Sequence, residues 1–217
     1  MHSMTNTAIA ETKEGIRPVL SISQECAAVH PVWKTSILFT LVTVVLLGIV
    51  YPLAVTGIAT ILFPRKAAGS LVLKNGQVIG SELLAQSFTS DRYFHPRPSA
   101  AGTNGYDATS SGGSNLAQSN GKLVQRIQSD IDKLQALNPG KPVPIDMVTT
   151  SASGLDPDIT PENAYYQASR VAKARNVDEG KIHALIAQQT AGRDFGFLGE
   201  SRVNVLMLNL ALDQIAK

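Results

Sequence analysis

Residues Thr35–Phe63 read TSILFTLVTVVLLGIVYPLAVTGIATILF, a run without a single charged side chain. As an α-helix it would extend about 43 Å at ~1.5 Å per residue, enough to cross a hydrocarbon core ~30 Å thick with room for tilt. Trp33 and Lys34 stand at one end, and Phe63, Arg65 and Lys66 at the other, the residue types that anchor a helix at both membrane interfaces. A buried core helix is seldom apolar on every side over such a length. A cleaved signal peptide would have a shorter apolar region, closer to the start of the chain. The stretch therefore reads as a single transmembrane anchor.

The anchor organises everything around it. It separates a tail at 1–32, which has no apolar periodicity and reads as disordered, from a folded domain at 64–217, with the membrane helix at 33–63. Its orientation is not decided by charge, because Lys13, Arg17 and Lys34 on one side balance Arg65, Lys66 and Lys74 on the other. Inside it, Pro52 is expected to kink the helix, while Gly48 and Gly57 flatten its surface. These three positions suit packing against other transmembrane helices, although proline and glycine are common in membrane helices in any case.

The 217 residues carry a formal net charge of +2 with both signs scattered, so no basic stripe points to nucleic acid. The one cysteine, Cys26, excludes a disulfide framework within the chain and a CxxC metal site.

Beyond the anchor, SLVLKNGQVIGS alternates around Asn75-Gly76, a dipeptide that favours a type I′ turn and hence a β-hairpin over 70–80. Ser81 is placed to cap a short helix, ELLAQSF. Leu123, Val124, Ile127, Ile131 and Leu134 recur at helical spacing and end at Asn138-Pro139-Gly140. Thr160-Pro161 starts a helix with Ala164, Ala168, Val171 and Ala172 on one face, and Asp178 caps another carrying Ile182, Leu185 and Ile186. A last helix holds Val203, Leu206, Met207 and Leu210. The expected fold class is α+β: one N-terminal transmembrane helix, then a helix-rich domain with a short hairpin.

No autonomous active site emerges from that domain. There is no GxxxxGK[ST] loop. His95 and His183 lie far apart in the chain and each reads as a surface or core histidine, so no metal is expected. Ser119-Asn120-Gly121-Lys122 fits SxxK, which would suit a membrane-anchored serine acyl-transfer enzyme, yet the companion KTG and SDN elements are missing. Asp156, Asp158 and Glu162 sit beside Pro157 and Pro161 and read as turn and first-turn residues. A stand-alone single-pass binding module is the other alternative.

Several motifs occur in order: GSELLAQSF at 80–88, YFHPRPSA at 93–100, YDA at 106–108, SGGSN at 111–115, SASGLDP at 151–157 and LGESRVNVLMLNLALD at 198–213. Together they resemble the C subunit of bacterial Kdp-type potassium-transporting ATPases, the KdpC family. The resemblance implies a non-catalytic subunit of a bacterial inner-membrane complex, with a KdpA-like channel subunit and a KdpB-like P-type ATPase subunit as partners. It implies a cytoplasmic N-terminus, an extracytoplasmic folded domain, and ATP as a cofactor shared with the ATPase subunit. This chain has no DKTG phosphorylation motif, in keeping with a helper role.

The resemblance implies two roles for the polar stretch after the hairpin. In one, the subunit is a catalytic chaperone that raises the ATP affinity of its partner. Ser111, Gly112, Gly113, Ser114 and Asn115 then form a candidate ATP contact resembling the LSGGQ signature, with backbone N–H groups approaching a phosphate. The competing reading is a Gly-Gly turn leading into the next helix, capped by Asn115 or Ser119. In the other role, Arg92, Tyr93, Phe94, His95 and Arg97 form an aromatic-and-arginine docking patch, stiffened by Pro96 and Pro98.

Overall fold

The computed structural model describes residues 22–215, with side chains from 32 onward, and divides them into a unit ending at Leu62 and a unit beginning at Phe63. The tail expected at 1–32 lies outside the described residues up to 21, and helix begins at Ile22, ahead of the boundary expected at Trp33.

The first unit is helical throughout: α1 (Ile22–Val45), a π-helical turn at Leu46–Val50, and α2 (Tyr51–Leu62). Within it Val32–Leu62 is 31 residues long with a mean hydropathy of 2.5, enough to span a membrane. The π turn explains how Pro52 is accommodated. Proline has no N–H to offer the carbonyl of Gly48, and its ring would press against that carbonyl in an α-helix. The wider turn, in which the Tyr51 N–H donates to the Leu46 carbonyl, takes up the mismatch just ahead of the ring. Thr60 donates its hydroxyl to the Thr56 carbonyl at 2.8 Å, so this polar group is satisfied within the helix. A β-carbon on Gly57 would meet nothing within 4 Å, and one on Gly48 only a Val44 methyl at 4.0 Å. Among the described residues, no side chain packs against either glycine closely enough to exclude a β-carbon.

The second unit opens with a helical turn, α3 (Pro64–Ala67), and the hairpin β1 (Leu71–Lys74) and β2 (Gln77–Ser81). Asn75 at φ 54° and Gly76 at φ 78° supply the left-handed pair that a type I′ turn requires. The helix expected over ELLAQSF is absent. Ser81 Oγ accepts from the Leu83 N–H at 3.1 Å and donates to the Gly69 carbonyl at 2.7 Å, closing one turn only. The segment is too short to hold a helix by itself, and its polar groups find tertiary partners: the Ala85 N–H meets the Leu155 carbonyl at 3.0 Å.

After a long irregular stretch come α4 (Gly121–Leu137), α5 (Pro161–Arg175), α6 (Glu179–Gln189) and α7 (Val205–Ile215). Thr160 and Asp178 cap α5 and α6 as their side-chain chemistry predicts, with Pro161 in the first turn of α5. The cap of α4 is Asn120, which accepts from the Lys122 N–H, and not Asn115 or Ser119. A second sheet joins β3 (Asp158–Ile159), β5 (Arg202–Asn204) and β4 (Thr190–Ala191) in that order, antiparallel. Val203, expected at the head of the last helix, is the central residue of β5 and pairs with both Ile159 and Thr190. Leu206 is buried in α7 as expected, but the main buried line is Val205, Leu208, Asn209 and Leu212, at i, i+3, i+4 and i+7, rather than Met207 and Leu210. It packs with Ala164, Ala168 and Val171 of α5 and with Ile182 and Ile186 of α6.

Candidate functional site

The stretch Asp91–Ser99 has no helix or strand, yet it crosses the interior. Its backbone cannot satisfy itself there, so side chains must do so. Five consecutive carbonyls are held in this way. Arg170 donates to Asp91 at 2.7 Å and Tyr93 at 3.0 Å, and Arg175 Nε to Arg92 at 2.7 Å. Asn209 donates to Phe94 at 3.0 Å, and Gln167 to His95 at 3.0 Å. The same two amides also accept from the Phe94 and His95 N–H groups, each at 2.8 Å. They imitate a strand partner, so α5 and α7 grip the loop as a ladder would.

The grip continues inward. Gln167 donates to Asn163 Oδ1 at 2.7 Å, and Asn163 to Asp146 Oδ2 at 3.0 Å. Asp146 also accepts from the Thr160 N–H at 2.8 Å and its hydroxyl at 3.1 Å, which joins the network to the start of α5. Buried polar groups this fully paired rigidify the elements they connect.

At the other edge Arg175, only 3% exposed in its side chain, donates to Asp213 at 2.9 Å and lies 4.7 Å from the centre of the Tyr93 ring. The Tyr93 hydroxyl donates to the same carboxylate at 3.1 Å. Burial alone would raise the Asp213 pKa, but hydrogen bonds from Arg175 and Tyr93, with the charges of Arg175 and Lys74, hold it below the ordinary carboxylate value. His95 is pushed below the ordinary histidine value by burial first and by the Arg170 charge second. Asp158 is pushed up, chiefly by burial, with Asp156 adding to the effect.

The residues expected to form a docking patch, Arg92, Tyr93, Phe94, His95 and Arg97, differ in their exposure. Phe94 is 0% exposed and belongs to the core. Tyr93 and His95 are half-buried, Arg97 is tied to Asp156 at 2.9 Å, and Arg92 alone is exposed. Aromatic residues and arginine are enriched at interfaces, but a loop that plugs a core uses them as well, and composition cannot separate the two. The residues that do separate them are Asn163, Gln167 and Arg170, polar side chains at i, i+4 and i+7 beside the alanine stripe of α5. Their spacing is the sequence signal that marks this polar face of α5.

Ser111–Asn115 lies against the turn at Ser151–Gly154. The Gly112 N–H donates to the Ser153 carbonyl at 2.8 Å, and Ser111 Oγ to the same carbonyl at 3.0 Å. A β-carbon on Gly113 would sit 3.1 Å from the Ala152 carbonyl oxygen. The glycines thus serve a close approach of two loops, and one amide that a phosphate cradle would use already has a partner. Ser119 and Lys122 lie exposed at the start of α4. Among the described residues no group of three or more His, Cys, Asp and Glu is placed to hold a metal ion.

Comparison with known proteins matches the sequence of this chain to a family. The family model described as K+-transporting ATPase, c chain, KdpC, covers residues 33–214. The potassium-transporting ATPase KdpC subunit of Koribacter versatilis is 56% identical over 179 residues, 82% of this chain and 92% of that protein. That of Acidobacterium capsulatum is 56% identical over 182 residues, 84% of this chain and 97% of its own. That of Methylobacterium nodulans is 50% identical over 198 residues, 86% of this chain and 96% of its own.

Proposed function

The chain belongs to the KdpC family of potassium-transporting ATPase subunits, and on that premise we propose that it is an accessory subunit that stabilises the assembly and raises the ATP affinity of the ATP-hydrolysing partner. The observation that carries this reading is the extent of the family match, which takes in the transmembrane helix and nearly all of the second unit. The partners are a KdpA-like channel subunit and a KdpB-like P-type ATPase subunit. The chain crosses the bacterial inner membrane once, N-terminus in the cytoplasm and second unit outside.

ATP is the cofactor of the assembly, bound on the ATPase subunit. With the second unit outside, cytoplasmic ATP does not reach Ser111–Asn115. We therefore assign the effect on ATP affinity to coupling through the membrane helix and the partner subunits rather than to a contact with those residues. Such coupling is reciprocal: whatever factor this chain adds to ATP binding, ATP adds to the binding of this chain.

The test is co-expression with the other subunits, purification from membranes through a tag on the ATPase subunit, and assay of potassium-stimulated hydrolysis. The chain is expected to co-purify, and its omission to reduce the yield of assembled complex. A chain that stays behind in the membrane fraction, with full activity in its absence, would overturn the subunit reading.

A further inference from the structure

Between β4 and β5 the chain leaves the sheet as a small finger, Arg193–Glu200. Asp194 and Leu198 exchange backbone hydrogen bonds, both 2.9 Å, around the loop Phe195-Gly196-Phe197. Arg193 pairs with Glu200 at 2.7 Å across the base, and Arg202 lies 3.6 Å from Asp194. At the tip Phe195 is 88% exposed and Phe197 71%. Phe195 also sits at φ 54°, a left-handed conformation that a bulky residue seldom adopts.

These rings do nothing for the fold. Neither belongs to the core cluster, and asparagine or glycine would suit the turn better than Phe195 does. A braced finger that holds two neighbouring aromatics in solvent, one of them against its backbone preference, has the form of a docking anchor. Bracing also lowers the ordering cost of binding.

Two kinds of surface accept such a tip: a bilayer interface and an apolar pocket on a protein. Charge decides between them. Membrane-surface anchors surround their aromatics with excess lysine and arginine. Here Arg193 is paired with Glu200, and Arg202 is shared between Asp194 and Asp158, so the finger carries no excess positive charge. We propose that Phe195 and Phe197 plug into an apolar pocket on another subunit of the same potassium-transporting ATPase. The proposal rests on the subunit reading above and adds the surface through which the second unit docks.

The test places a photoreactive benzoyl-phenylalanine at Phe197 in the full chain, co-expressed with the other subunits in membranes and then irradiated. One crosslinked product is expected, with another subunit of that ATPase identified in it by mass spectrometry. The same probe at Lys133, exposed on α4, should give none. In parallel, the double variant Phe195→Ser/Phe197→Ser should unfold at the wild-type midpoint yet co-purify about tenfold less well. Crosslinking to phospholipid only, no crosslink within an intact assembly, or a double variant that co-purifies as wild type would each overturn the proposal. A wild-type chain that does not co-purify overturns the subunit reading itself, so the two failures are distinguishable.

Discussion

The guanidinium of Arg175, at the end of α5, lies 2.9 Å from the carboxylate of Asp213 in α7, and its Nε holds the Arg92 carbonyl at 2.7 Å. One side chain thus joins two helices and the loop Asp91–Ser99. Replacing Asp213 with alanine leaves the buried Arg175 charge without its carboxylate. Breaking a fully buried pair is strongly destabilising, and Asp213 is 27% exposed in its side chain. The expected cost is therefore about 2 kcal/mol in denaturant unfolding, below the full buried-pair value. A loss under about 0.5 kcal/mol would show the pair to be ornamental.

Stability should fall as pH drops through the histidine range. His95 is held below the ordinary value by burial and by Arg170, so the unfolded chain takes up the proton first. The stability that neutral His95 confers is present above the ordinary pKa of 6.5 and is lost as pH falls below it. Unfolding midpoints measured from about pH 7.5 to about pH 5.5 should decline, and His95→Asn should flatten that decline. Asp213 acts lower down, where its depressed pKa keeps its contribution until pH falls beneath the ordinary carboxylate value. A profile that is flat in the wild type would contradict the assignment to His95.

Gly112 and Gly113 should respond differently although they are neighbours. A β-carbon on Gly112 meets nothing within 4 Å, whereas one on Gly113 meets backbone carbonyl oxygens at 3.1 and 3.4 Å. Gly112→Ala should stay within about 0.5 kcal/mol of wild type, and Gly113→Val should cost about 2 kcal/mol through strain between the two loops. Neither should change the ATP KM of assembled complex selectively. A raised KM in a normally stable Gly113→Val complex would restore direct nucleotide contact at Ser111–Asn115.

Much of this architecture is legible in the sequence wherever the signal is local. The charge-free run, the Asn75-Gly76 turn and the Thr160 and Asp178 caps each depend on a few adjacent residues. What was missed depends on partners far away in the chain. The short strands β3, β4 and β5 have almost no alternation of their own, and Val203 becomes a strand residue only because Ile159 and Thr190 flank it. Phe94 looks like a surface anchor until Asn209 is known to hold its backbone. Pro52 does announce a disturbed helix, but not that a π turn absorbs it.

The membrane helix should do more than tether. Lipid offers no hydrophobic drive for helix association, so close packing at small residues must supply it. Among the described residues, a β-carbon at Gly48 or Gly57 meets no atom closer than 4.0 Å. Gly48→Leu/Gly57→Leu should therefore insert normally yet co-purify poorly with the other subunits. A plain leucine–alanine helix replacing the span should behave the same way. Full potassium-stimulated activity in that swap would leave assembly to the second unit alone.

In the function proposed above, this chain tightens ATP binding at a site it does not form. The direct measurement is the ATP KM of potassium-stimulated hydrolysis by membranes containing the other subunits, titrated with and without this chain. The expected result is a KM several-fold lower with the chain present, within the ~5–150-fold range of ordinary allosteric coupling, an effect lost again in the Gly48→Leu/Gly57→Leu variant. An unchanged KM, with the chain demonstrably bound, would contradict it.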